Sequence, residues 1–486
     1  MAELVEQYTI NHIPEDRRFG KVSSLFPFWF TANTSAFTIV LGAVGIELGL
    51  SLPAAIGAIV LGSVVGGVFM AYHSAQGPKL GLPQLIQSRA QFGFFGSLLP
   101  NSLIWVIFLG YIVGENVLAS QALSALLHIT FAEALALSAF VTWLVVVFGY
   151  RIMHEVNRVV AVLSLILFAV LLVRLIQHSS GVHYAGAPFK FSTFLLATSI
   201  FVSGQVGWAP YVSDYSRYLP VNTSIRRSFW YTYAGSVSSA ILFASLGAVA
   251  GVIALDKLNA NSVGYLAGLV PAAQWLVILV LLASIVAGNA INLYSPLVSG
   301  LAIISKDGGR APGSVVRAVG TALIMVATSV VAIAVSSNFI VDLGDFAAFL
   351  LYIVVPWSAI NLVDYYFVRR GHYSVRDILS IDGRYGLFNV KAVAIFLVGI
   401  AVEIPFMNAS WPKFEGPAAT AMGGADISWL VGFAVAGVLY YAASRADGSI
   451  SEGAPEGSQV PRKADFTDVR VPAGAGAQLA TDVSGA

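Results

Sequence analysis

The chain has 486 residues, 57% of them hydrophobic and 10% charged, with a mean hydropathy of +0.80. A soluble domain is about 25% charged, so this composition excludes an ordinary water-soluble enzyme and reads as an integral membrane protein. Lys+Arg 26 against Asp+Glu 25 leaves a formal net charge of +1, which suggests no nucleic acid or polyanionic partner, and Cys 0 excludes disulfides, thiolate metal sites and cysteine nucleophiles.

A bilayer core about 30 Å thick takes roughly 20 apolar residues of helix. Twelve runs read as such spans: 24–50, 53–75, 97–126, 130–149, 154–177, 192–211, 228–255, 272–304, 314–336, 338–367, 389–408 and 426–444. The first begins too far from Met1 to be a signal peptide. The abundant glycine, 46 residues, suits close helix–helix approach in lipid. With the N-terminus in the cytoplasm, 22 of the 26 Lys and Arg residues fall inside and only Arg174, Lys190, Lys257 and Lys413 fall outside. That asymmetry predicts a multi-pass protein of the plasma (inner) membrane with both termini cytoplasmic. Residues 1–22 form a cytoplasmic N-terminal segment, 23–445 one membrane domain, and 446–486, rich in Gly, Ala, Ser and Pro, a disordered cytoplasmic tail.

Span 1 carries Thr31, Asn33, Thr34 and Ser35 within FWFTANTSAFTIVLG, inside an otherwise apolar helix. Span 3 places Tyr111 and Glu115 four residues apart on one helix face, with Asn116 next to them. An intramembrane carboxylate is costly and marks a functional site by default; the alternative is a hydrogen-bonding strut between helices. Span 6 gathers Gly204, Gln205, Gly207, Trp208 and Pro210. Pro210 removes a backbone donor and Gly207 permits non-helical dihedrals, so a break is expected there. Spans 1 and 6 are five apart, an odd offset that runs two repeats in opposite directions. Paired interrupted helices of that kind point to a transporter's midplane site, although Ser, Thr and Gly also serve plain helix packing. Span 8 sets Asn289 and Asn292 three apart, with Pro296 one turn later. Amides suit the edge of a neutral heterocycle, and equally an interhelical amide bond.

Other chemistry has little support. His128 and Glu133 read as a solvated outer turn. The seven His residues show no metal-binding spacing, and neither a GxxxxGK[ST] phosphate loop nor a GxSxG elbow occurs, so no cofactor or metal is expected. A membrane-embedded enzyme would need a nucleophile–base pair, and a channel would need a polar stripe through the bundle. The polar residues instead cluster at one depth.

Four stretches, QSRAQFGFFGSLLP (87–100), GWAPYVSDYSRYLP (207–220), NLYSP (292–296) and DYYFVRR (364–370), resemble the nucleobase:cation symporter-1 family, the purine–cytosine permeases, over about residues 20 to 445. The resemblance implies an all-α LeuT-like fold: two inverted five-helix repeats plus two further helices, broken helices 1 and 6, alternating access, and a small-molecule site lined by helices 1, 3, 6 and 8. It places substrate contacts at Tyr111 and Glu115 on helix 3 and at Asn292 on helix 8. Trp208 is the expected stacking residue, with Gln205 its hydrogen-bonding neighbour and Asn33 and Asn289 completing the set. Sodium-coupled relatives use two hydroxyl residues on helix 8, and those positions fall on Val286 and Ala287, with Ser284 two positions early. The expectation is therefore proton coupling through Glu115, since burial disfavours a charged carboxylate. Asp214, close to Arg217, reads as a structural ion pair. The expected cargo is cytosine or a purine; the alternative is another small heterocycle such as allantoin, hydantoin, uracil or a vitamin, with sodium as its coupling ion.

Overall fold

The computed structural model describes residues 12–148, 150–179, 186–304, 314–409 and 413–446. Residues 1–11 of the amino-terminal segment and all but the first residue of the tail 446–486 lie outside the described residues. The described residues are mostly helical, with one two-residue β-pair among them, Asn408–Ala409 with Phe414–Glu415. Each predicted run holds a helix. These are α1 (a bent pair, Val22–Ala32 and Ala36–Glu47), α2 (Leu52–Ser74), α3 (Leu98–Leu127), α4 (Phe131–Phe148), α5 (Tyr150–His178) and α6 (Phe191–Val206, resumed at Val212–Ser216). They continue with α7 (Ile225–Ala260), α8 (Gln274–Ile304), α9 (Ser314–Val335), α10 (Phe339–Val363), α11 (Val390–Glu403) and α12 (Ser428–Ala446). Among the described residues six continuous helical stretches are long and apolar enough to cross a membrane, one of them joining α9 to α10, and the bent α1 makes a seventh. α5 and α9 turn Val159, Val162, Ile166, Val173, Leu323, Val326 and Val330 outward, an apolar belt suited to lipid rather than water.

The helix partnerships repeat at an offset of five. α1 packs on α7 as α6 packs on α2; α3 packs on α9 as α8 packs on α4. α1, α2, α6 and α7 therefore form one bundle, and α3, α4, α8 and α9 a second, with α10 against α6 and α3, and α11 paired with α12. Small residues bring the first bundle to backbone contact. A Cβ on Gly42 would run into the backbone of Ala244, and one on Gly247 into the carbonyl of Ile39; such crossings are how helices associate without a hydrophobic drive between them.

Buried polar contacts tie the helices together at the expected cytoplasmic ends. Asp364, fully buried where α10 runs into a π-turn (Asp364–Val368), accepts hydrogen bonds from Gln91, Tyr373 and Tyr440 and pairs with Arg369 at 3.2 Å. Trp357 donates to Ser88 at 2.9 Å, and Arg89 lies over the Phe94 ring. Asp214 Oδ1 accepts from the backbone N–H of Gln84 at 2.8 Å, while Arg217 Nε donates to the backbone carbonyl of Asp214. His128 and Glu133 are exposed, as expected, with Glu133 accepting from Thr130 at the start of α4.

Candidate substrate site between the interrupted helices

The break in α1 falls on Asn33–Ser35 and bends the helix by 64°. Ser35 is extended and its hydroxyl caps the N–H of Thr38, restarting the helix; Thr31 and Thr34 donate back to the carbonyls of Pro27 and Phe30. α6 stops at Val206, and residues 207–211 continue in tight turns (Trp208 N–H to Gln205 O, Ala209 N–H to Val206 O) before the helix resumes at Val212. The regular ladder ends with Gly207 N–H to Ser203 O, three residues before Pro210, which has no N–H with which to resume it. Gly207 does not play the expected part: its dihedrals are helical (φ −57°, ψ −24°). Glycine is required there by close approach, because the Tyr111 hydroxyl of α3 stands where a Cβ would be.

Tyr111 thus joins α3 to the broken part of α6. Its ring also meets Phe37 of α1 at 5.7 Å and Phe346 of α10 edge-on at 5.2 Å. One turn along α3, Glu115 is buried at 6% exposure, and its Oε2 has no hydrogen-bond partner among the described residues. A Cβ on Gly288 of α8 would lie 3.3 Å from Glu115 Oε1, so the carboxyl group is seated on the bare backbone of α8. Asn292, one turn further along α8, is also buried.

A second group forms across α1, α6 and α7. Trp208 Nε1 donates to Asn33 Oδ1 at 3.1 Å, and its ring meets Trp29 at 5.6 Å and Tyr211 at 5.3 Å, both edge-on. Asn33 Nδ2 donates to the carbonyl (3.1 Å) and hydroxyl (2.9 Å) of Ser236 and to Ser239 Oγ (3.3 Å). Ser236 Oγ in turn donates to Gln205 Oε1 at 2.7 Å. Both ends of the Asn33 amide are therefore engaged within the protein.

Asn289 lies elsewhere. Its Nδ2 donates to Asn116 Oδ1 at 2.8 Å, and Asn116 Nδ2 donates to Thr328 of α9 at 3.3 Å, an amide ladder that ties α8, α3 and α9 together. Val286 and Ala287 offer no side-chain oxygen, and Ser284 donates to the carbonyl of its own helix at Leu281. Sequence reasoning missed Ser236, Ser239, Phe37, Phe346 and Gly288. The run GSVSSA in α7 carries the spacing, but small polar residues on an apolar helix read equally as packing.

Interrupted helices facing each other across a repeated five-helix plan, with a buried carboxyl group and aromatic rings between them, form a LeuT-like fold, and the sequence family that the chain matches makes it a multi-pass membrane transporter rather than an enzyme. Two solved structures of Mhp1, a nucleobase-cation-symport-1 family transporter, share the fold. The closed form with bromovinylhydantoin bound has a TM-score of 0.71 at 19% identity, covering 92% of this chain and 96% of that one. The inward-facing form has a TM-score of 0.72 at 19% identity, covering 93% and 97%. The putative purine-cytosine permease YxlA of Bacillus subtilis is 37% identical over 439 residues, 90% of this chain and 95% of the relative. The purine-cytosine permease fcyB of Emericella nidulans is 27% identical over 463 residues, 90% and 88% of the two chains. The chain belongs to the family of permeases for cytosine/purines, uracil, thiamine and allantoin, whose sequence profile matches residues 12–432.

Proposed function

We propose that the protein imports a nucleobase, cytosine or a purine, together with a proton, by alternating access across the plasma (inner) membrane, with twelve spans and both termini cytoplasmic. The observation that carries the coupling is Glu115: a buried carboxyl group with one oxygen unpartnered among the described residues, one turn from Tyr111 and seated on Gly288. Such a group needs either a cation or a proton. The missing oxygens at Val286 and Ala287, and the Ser284 hydroxyl turned to its own helix, favour the proton over sodium. Protonated Glu115 donates to a ring nitrogen or carbonyl of the base; loss of that proton to the cytoplasm removes the contact and releases the substrate. Trp208 and Tyr111 supply aromatic surface, worth about 1–3 kcal/mol per stacked base. Gln205 and Asn292 bind polar edges, while Asn33 positions Trp208 and Asn289 braces α8.

Uptake of radiolabelled cytosine into proteoliposomes, with unlabelled bases as competitors, tests this reading. Expected is competition by cytosine and purines, and loss of proton-driven uptake in Glu115→Gln, Asn292→Ala and Trp208→Ala although each protein is reconstituted normally. Competition by allantoin, a hydantoin or a vitamin alone would move the cargo to that heterocycle. Normal transport by all three variants would show that they serve only helix packing.

A further inference from the structure

The hydrogen bonds between Trp208, Asn33, Ser236 and Gln205 run in one direction only, and the reason is chemical. An indole N–H can donate but never accept, so the atom of Asn33 facing Trp208 has to be the oxygen. The Asn33 nitrogen then faces Ser236, where the backbone carbonyl, an acceptor only, holds it independently in the same orientation. Ser236 Oγ receives one of its hydrogens at 2.9 Å and donates its own single proton to Gln205 at 2.7 Å. The Gln205 atom that meets it is Oε1. What remains is the Gln205 Nε2 group, two donors and no acceptor, which donates to nothing among the described residues.

We propose that Ser236, a residue of α7, fixes the hydrogen-bonding polarity of the binding site: through Gln205 it presents donors only, so the edge of the heterocycle lying there has to be an acceptor edge, built on an unprotonated ring nitrogen. This rests on Gln205 facing the cargo, as in the function proposed above. Cytosine carries such an edge, a bare N3 beside O2. Uracil differs there by one proton, since its N3 bears hydrogen, and would set donor against donor. A site built around one hydrogen-bonding sense rejects the opposite sense strongly, because the buried groups are left unpaired. Ser236 is thus a positioning residue, and its removal frees the Gln205 amide to turn over.

The test is equilibrium competition of uracil against labelled cytosine on the purified full-length protein, which reads binding without any ion gradient. The wild type is expected to prefer cytosine. In Ser236→Ala the preference should fall about tenfold, the scale of one hydrogen bond, with the amide free to serve either base. Ser236→Thr, which keeps the hydroxyl, should hold the preference within about twofold. Gln205→Glu gives a second route should Ser236→Ala fold poorly: one carboxylate oxygen still accepts from Ser236 and the other now offers an acceptor, so the preference should shift toward uracil. An unchanged cytosine-to-uracil ratio in Ser236→Ala, or equal weakening of both bases in Ser236→Ala and Ser236→Thr, would overturn the proposal and leave nucleobase binding standing. A wild type that binds neither base would overturn the function on which it rests.

Discussion

At the scale of single residues, the site depends on where glycine stands. Gly207→Ala would put a methyl group on the Tyr111 hydroxyl, so transport should fall at least tenfold, whereas the nearby Gly204→Ala meets only Leu41 at 3.3 Å and should be milder; uptake by the two variants at matched reconstitution checks this. Gly288→Ala presses on Glu115 Oε1 and should impair uptake with little loss of thermal stability. The two asparagines of α8 should separate. Asn289→Ala leaves the Asn116 amide buried and short of a partner, which costs about 1 kcal/mol and should appear as a lower unfolding temperature. Asn292→Ala should spare stability and lower substrate affinity. The spacing of Asn289 and Asn292 was legible in the sequence, but which amide is a brace was not, because that depends on Asn116 and Thr328 lying opposite. Gly207 shows the same limit: its importance could be read, yet the cause is a hydroxyl from a helix nearly a hundred residues away.

At the scale of elements, the interruptions in α1 and α6 were visible because Asn, Thr, Ser, Gly and Pro are rare in the middle of apolar runs, and their chemistry forecasts a local break. Their partner α7 was not visible as part of the site, since Ser236 and Ser239 sit in a regular stretch of helix, well before its kink at Ala254. The segment leading into α1 is also more tightly held than its polar composition suggests. Ile13 N–H donates to Gly81 O, Arg18 Nε donates to Ile13 O at 2.9 Å, Arg18 lies 3.0 Å from His12 Nε2, and Phe19 N–H reaches Tyr218 O at 2.7 Å. Burial, helped by Arg18 and Arg217, pushes His12 down from 6.5 to about 4. A folded-state value below the unfolded one means that protonation opposes this contact: its stability is complete above about pH 6.5 and declines as pH falls toward 4. Hydrogen exchange of residues 12–20, corrected for intrinsic rates, should be flat from pH 7 to 8 and accelerate below about pH 6. In His12→Ala that acceleration should vanish, and its persistence would assign it to another group.

At the scale of the whole molecule, hydropathy gave the runs and their order, and the offset of five between interrupted helices already implied two opposed repeats. The partnerships of α1 with α7 and α6 with α2, and of α3 with α9 and α8 with α4, are that repeat expressed as contacts. What hydropathy could not give is how firmly each run is a span: α4 is apolar but short, and α5 begins with the polar stretch YRIMHEVNR, so only its later part is apolar enough for lipid. The absence of cysteine makes the orientation testable without background labelling. Single cysteines at Lys79 and Arg376 should react with an impermeant maleimide only from the cytoplasmic side, and ones at Lys190 and Lys257 only from outside.

Proton coupling through Glu115 is tested most directly by measuring two fluxes of cytosine in the same proteoliposomes, exchange counterflow without any gradient and accumulation under an inward proton gradient without sodium. Expected is that the wild type performs both, while Glu115→Gln, which keeps the hydrogen-bonding shape but cannot release a proton, retains counterflow and loses accumulation. Accumulation by the wild type that requires sodium, or proton-driven accumulation by Glu115→Gln equal to the wild type, would contradict it.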